Sequence, residues 1–136
     1  MKSADVETSR NLALALQRSG DAQQDRGDVA AAIQTYLESI RFDANNPETH
    51  HNLGSAFARS GRWDDAIAQY LETLRVNPSS ARAVRNLARA HNSRGIDLAE
   101  ARKFAEAVAD FSEAVRLDPE FVDARANLAR AQAMIK

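Results

Sequence analysis

Apolar and small residues recur along this chain in sets that lie 34 or 41 positions apart. The segment 51–80, HNLGSAFARSGRWDDAIAQYLETLRVNPSS, carries the fullest set: Leu53-Gly54, Phe57, Gly61, Trp63, Ala66, Tyr70, Leu74 and Pro78. Thirty-four residues earlier stand Ser19-Gly20, Gln23, Gly27, Val29, Ala32, Tyr36, Ile40 and Ala44. Forty-one residues later stand Arg94-Gly95, Leu98, Arg102, Phe104, Ala107, Phe111, Val115 and Pro119. One buried pattern serves all three units. The small residues Gly54, Ala66 and Ala32 let two helices approach closely, and larger neighbours fill the space on either side.

The breaks between stripes carry their own signals. Gly27 and Gly61 stand where the first helix of a pair ends and a left-handed residue is needed. Asn46-Pro47-Glu48 restarts a helix with a cap, a first-turn proline and an acid near the positive end of the dipole. Pro78 and Pro119 end the helices before them. The pattern predicts seven helices, at about 5–26, 29–43, 47–60, 63–76, 80–101, 103–117 and 121–136.

The two spacings have a helical explanation. Asn-Leu occurs at 11–12, 52–53, 86–87 and 127–128, so its steps are 41, 34 and 41 residues. The excess of seven is about two helical turns and rotates an apolar stripe by only ~20°. It lengthens a helix without turning its buried face to water, so the first and fifth helices should each be about two turns longer than the third. Residues 10–46 also match 85–121 at an offset of 75, with 11 identities in 37. The chain reads as a duplicated pair of units. A continuous fifth helix must run through Gly95, at a cost of about 1 kcal/mol; the alternative is a break near Ser93-Arg94-Gly95.

This set of positions resembles the tetratricopeptide repeat, a 34-residue helix–turn–helix unit. The resemblance spans roughly residues 5–136 and is fullest in the middle copy. The first copy has Gln23 for the aromatic and Ala44 for the proline, and the third has Arg102 for the turn glycine. It implies an all-α, right-handed superhelical solenoid of antiparallel helix pairs, as a single domain over 1–136. Its repeats are about 5–46, 47–80 and 81–121, with a capping helix at 122–136. It also implies that the leading helix of each pair lines a concave binding surface.

Composition agrees with an all-α fold: 27 of 136 residues are alanine, with only 5 Gly and 3 Pro to break helices. The 18 basic and 19 acidic side chains leave no bulk field for nucleic acid. Without cysteine, disulfides and thiolate metal sites are out of reach. MKSADVETSR lacks the apolar core of a signal peptide and no run of ~18 apolar residues follows, so membrane insertion is not expected and the cytoplasm is the default location.

No catalytic constellation appears, so an enzyme, a cofactor and a metal are not expected. His50 and His51 point about 100° apart on a helix and cannot chelate together as an i, i+4 pair does; His50 is expected to pack between helices and His51 to be solvated. Asp64-Asp65 suits a helix start.

The leading helices offer candidates for binding. Arg82, Arg85 and Arg89 share one stripe with Asn92 and Ile96, and Arg130 lies on the last helix. Such a row suits carboxylate recognition, and the alternative is a solvated arginine face. Asn52, Asn86 and Asn127 offer amides that both donate to and accept from a peptide backbone. Residues 1–68 carry 7 basic and 10 acidic side chains and residues 69–136 carry 11 and 9, which favours an acidic segment at the C-terminal half. Apolar contacts are expected at Ile96 or Phe57. Some family members clamp the acidic tail of heat-shock chaperones, but Gln17 and Asp21 stand at two of those places here, and only Asn52 and Arg82 fit. The leading expectation is a non-enzymatic adaptor or scaffold for a protein or peptide. The alternative is a structural module, or a piece of a larger protein, that self-associates through its ends into a homo-oligomer.

Overall fold

The computed structural model describes residues 3–136, which form seven α-helices and, among those residues, no strand. The chain divides between Ser79 and Ser80 into two compact units. The first holds α1 (Ser3–Asp25), α2 (Val29–Phe42), α3 (Pro47–Arg59) and α4 (Trp63–Val76); the second holds α5 (Ala81–Glu100), α6 (Phe104–Leu117) and α7 (Val122–Met134).

Helix lengths account for the uneven repeat. α1 has 23 residues and α5 has 20, against 13 in α3. The seven extra residues lie within the helices, and α5 runs unbroken through Gly95. In the first unit α1 packs on α2, α2 on α3, and α3 on α4; in the second α5 packs on α6 and α6 on α7.

One close contact recurs in every helix pair. A Cβ added at Gly20 would lie 2.6 Å from the Tyr36 ring, at Gly54 2.7 Å from the Tyr70 ring, and at Gly95 2.6 Å from the Phe111 ring. Each ring therefore rests directly on the backbone of the preceding helix. Small buried residues complete the contact: Ala32, Ala66 and Ala107 are fully excluded from water. Around Phe111 the second unit gathers Ala107 and Ala131, with Leu98, Val108 and Leu128 packed against them.

The first turn of each pair is built the same way three times. Gly27 donates to the Gln24 carbonyl and Asp28 to the Gln23 carbonyl, both at 2.9 Å. Gly61 and Arg62 repeat the pattern on Ala58 and Phe57, as do Arg102 and Lys103 on Ala99 and Leu98. This doubly bonded helix end requires a left-handed residue, and φ is +84° at Gly27, +71° at Gly61 and +62° at Arg102. Arg102 bears that conformation with a side chain, and its guanidinium lies 5.3 Å from the Phe104 ring centre. The second connections use side-chain caps: Asn46 accepts from the Glu48 amide at 3.0 Å and Ser80 from the Ala83 amide at 3.2 Å.

Two expectations are corrected here. His51 is not solvated: it is only 6% exposed, with its ring 5.5 Å from that of Tyr70. α3 is covered by α2 on one side and α4 on the other, so residues 100° apart are both enclosed. Phe57 is likewise buried, beneath the Arg62 guanidinium at 4.6 Å, and offers no surface to a ligand. His50 reaches the Ala44 carbonyl through Nε2 and Gln69 Oε1 through Nδ1, both at 2.7 Å.

In the second unit the places of Leu53 and Gln69 are taken by Arg94 and Asp110. Asp110 is buried and accepts from Arg94 Nε at 2.8 Å, Arg94 Nη2 at 2.7 Å and His91 Nδ1 at 3.0 Å. Burial pushes its carboxyl upward, but the bonds and charge of Arg94 and His91 outweigh that and hold it below the usual carboxylate range. Arg94 thus leaves the set of arginines available to a partner.

Two outcomes follow for stability. Gly54→Ala should destabilise the protein by about 1–3 kcal/mol, because the added methyl displaces the Tyr70 ring; an unchanged urea midpoint would show that the ring yields freely. A carboxyl held low in the folded state stabilises above its unfolded pKa, and that stabilisation is lost as pH falls through the folded value. Melting temperature should therefore fall more steeply below about pH 4 in the wild type than in Asp110→Asn, which lacks the ionised group. Parallel melting curves in acid would refute the assignment.

Candidate functional site

In the first unit the leading helices α1 and α3 and the ring of Tyr36 border an open concavity of about 300 Å³. α1 supplies Asp21, Gln24 and Asp25, and α3 supplies Asn52, Ser55 and Arg59. Its polar groups bond one another. Tyr36 donates its hydroxyl to Asp21 Oδ1 at 2.5 Å, and Asn52 Nδ2 donates to the same oxygen at 2.9 Å. Gln24 Nε2 reaches Tyr36 Oη at 3.3 Å and the Asn52 carbonyl at 3.2 Å. Arg59 donates to both the side-chain and backbone oxygens of Gln24 at 3.0 Å. Burial, then the hydrogen bond to Asp21, raises the pKa of the Tyr36 hydroxyl, so it stays protonated and acts as a donor.

The second unit encloses a cavity of about 290 Å³ between α5, α6 and α7. Its walls include Ile96, Ala99, Phe104 and Phe111, with Asn127 and Arg130 from α7. These positions repeat those of the first cavity at the offset of 75: Asp21 becomes Ile96, Gln24 Ala99, Tyr36 Phe111, and Ser55 Arg130. Asp25 becomes Glu100 and Arg59 becomes Met134, while Asn52 and Asn127 are the same residue. The second cavity lacks both the hydroxyl and its acceptor, so neither is left buried without the other. One cavity is polar and self-bonded; the other is mostly apolar.

The predicted site residues fall in separate places. Asn52 lies in the first cavity, with its amide hydrogen given to Asp21. Asn127 and Arg130 lie in the second, and Arg130 bonds Asn127 Oδ1. Arg85 and Arg89 are exposed and line a third concavity, of about 310 Å³, beside Asp118, Glu120 and Asp123. Arg82 is exposed and Asn86 half-buried, and neither lines these cavities. The row Arg82, Arg85, Arg89 and Arg130 is therefore not one site: Arg130 belongs to the apolar cavity and Arg85 and Arg89 to one with acids in its wall. Sequence reading missed Ala99, Phe104, Phe111 and Met134 as wall residues. Nothing in the sequence marks them as wall residues, because the wall forms only where α5, α6 and α7 meet. Among the described residues, no group of three His, Cys, Asp or Glu is placed to hold a metal ion, and no helix is long and apolar enough to cross a membrane.

Helix pairs that repeat one turn, one glycine–ring contact and one set of wall positions define an α-helical repeat protein. The chain belongs to the tetratricopeptide repeat family: models of that repeat match residues 20–61, 51–96 and 88–121. Solved structures share the fold. The first TPR of Spaghetti (RPAP3) bound to the HSP90 peptide SRMEEVD is 24% identical, with a TM-score of 0.63 over 93% of this chain and 95% of that one. The second TPR domain of human RPAP3, in complex with the HSP70 peptide SGPTIEEVD, is 20% identical, with a TM-score of 0.65 over 91% and 98%. The Arabidopsis OM64 TPR domain is 19% identical, with a TM-score of 0.63 over 92% and 98%. No curated protein matches the sequence.

The paired change between the cavities is testable in the first unit. Tyr36→Phe alone should cost about 1 kcal/mol, because Asp21 loses a donor. Adding Asp21→Ile should recover only part of that loss, because Asn52 also gives its amide hydrogen to Asp21. Additive losses in the double-mutant cycle would show that the hydroxyl and carboxylate are not coupled.

Proposed function

We propose that this protein is a non-enzymatic interaction module that holds an extended protein or peptide segment along the leading helices of its repeats. The observation that carries this reading is the duplicated cavity. Two concavities of nearly equal size occupy matching positions on the leading helices of the two units, yet their walls differ in chemistry. A purely architectural feature has no need of such divergence. Two structures of the same fold hold peptides, SRMEEVD and SGPTIEEVD, which supports a peptide ligand in general.

An acidic segment is the favoured class. Arg85, Arg89 and Arg130 are exposed, and no carboxylate pairs with them among the described residues. A chaperone-type tail clamp is disfavoured, since the Asn52 amide is committed to Asp21 and that carboxylate repels another. Self-association is the competing reading, because Val122, Met134 and Ile135 are 73%, 52% and 53% exposed.

The test is capture of partners by wild type and by the Arg85→Glu/Arg89→Glu variant, at low and high salt, beside light scattering over a range of concentrations. A partner retained by wild type at low salt, and lost with the variant or with salt, is the expected result. Capture that ignores both changes, or a mass that rises with concentration, would favour the self-associating module.

A further inference from the structure

Sulfur chemistry has one place to act among the described residues. The sequence holds no cysteine and two methionines, and Met1 lies outside the described residues. Met134 is the last residue of α7 and is 52% exposed, so its thioether is open to a solute. It borders the concavity of the second unit beside Ile96, Ala99, Phe104, Phe111 and Ala131. Those five side chains are hydrocarbon. Met134 adds the sulfur, the one atom of the apolar wall that a peroxide readily oxidises.

A polar group at this position has a partner within reach. In the first unit the matching place holds Arg59, which donates to the side-chain and backbone oxygens of Gln24. On α7 Arg130 precedes Met134 by four residues and so shares its helix face. Both border the concavity. Arg130 donates to Asn127 Oδ1 and has no carboxylate partner among the described residues, so donors of its fork remain. A thioether is a weak acceptor for them, whereas a sulfoxide oxygen is a strong one.

We propose that Met134 is an oxidation site that regulates this concavity, with a peroxide as the oxidant. The assignment rests on the reading of the leading helices as the ligand-holding surface and adds a control on it. A lone pair of the sulfur attacks one peroxide oxygen; the O–O bond breaks and an S–O bond forms. The departing hydroxide takes the proton of the transferred hydroxyl and leaves as water. Sulfur loses two electrons and the peroxide gains them. The product sulfoxide is polar where the thioether was apolar. Its oxygen accepts from Arg130, which draws the guanidinium over the mouth and replaces an apolar wall by a polar one. Reduction of the sulfoxide restores the open state.

The probe is N-phenyl-1-naphthylamine, an uncharged dye that fluoresces in apolar surroundings, titrated before and after treatment with hydrogen peroxide. Untreated wild type should bind the dye, and Ile96→Asp, which installs the first unit's acid, should weaken it. Peptide mass spectrometry should find one oxygen added at Met134. Oxidised wild type should bind the dye about tenfold more weakly, and a methionine sulfoxide reductase should restore it. Peroxide should not move the affinity of Met134→Leu, whatever its starting value. Arg130→Gln should lose less than wild type on oxidation, and an equal loss would overturn the closure by Arg130. Melting curves before and after treatment check that the protein stays folded. No dye binding, indifference to Ile96→Asp, no sulfoxide at Met134, or an equal peroxide response in Met134→Leu would overturn the site. Failure of the wider reading is distinguishable. A partner captured equally by oxidised and unoxidised protein sinks the regulation alone. A protein that captures no partner yet loses the dye on oxidation sinks the peptide reading alone.

Discussion

An aromatic ring laid against a glycine is the contact on which each helix pair depends. Gly20 with Tyr36, Gly54 with Tyr70 and Gly95 with Phe111 bring paired helices to a separation that no Cβ permits. A glycine inside a helix costs about 1 kcal/mol, and here the packed ring offsets it. Tyr36 and Phe111 are themselves almost wholly excluded from water. The far edges of Tyr36 and Phe111 lie behind the concavities beside the leading helices, so one side chain packs the helix pair and backs the concavity. A change at the ring position alters both at once.

That sharing explains how two copies of one unit diverged without losing the fold. The ring plane that meets the glycine is the same in tyrosine and phenylalanine; only the hydroxyl differs, and it points to the cavity. Its loss at Phe111 accompanies the loss of the acceptor at Ile96, which removes the cost of an unpartnered buried group. Asn52 and Asn127 persist at the matching place but turn to different acceptors, Asp21 in one unit and Asn92 in the other. Asp21, Gln24, Tyr36 and Arg59 thus correspond to Ile96, Ala99, Phe111 and Met134, a self-bonded polar set against an apolar one.

Charge is used in two distinct ways in the second unit. Arg94, about one-third exposed, pairs with the buried carboxylate of Asp110, which His91 also bonds, at positions held by Leu53 and Gln69 in the preceding repeat. Removing the cation would leave the buried carboxylate of Asp110 short of its partners, which is costly. Arg85, Arg89 and Arg130 are instead exposed on the surface. In the linear sequence the four arginines of residues 82–94 look alike, and the two bonds to Asp110 on α6 are what separate Arg94 from the rest.

The sequence by itself determined the helices, their lengths and their turns, because each of these is local. The 34- and 41-residue spacings placed seven extra residues inside α1 and α5, since a two-turn insertion preserves an apolar stripe. Asn46, Ser80, Gly27 and Gly61 mark helix ends through bonds that span five residues or fewer. Tertiary structure decided which polar side chains are spent. His51 looked like a solvated residue until α2 and α4 covered both flanks of α3. Asn52 looked like a free amide until Asp21, 31 residues away, accepted its hydrogen. Phe104, Phe111 and Met134 carry no signal of a cavity wall, because a wall exists only where three helices converge and leave space between them. Helix identity is written in neighbours along the chain; site identity depends on partners brought from other helices.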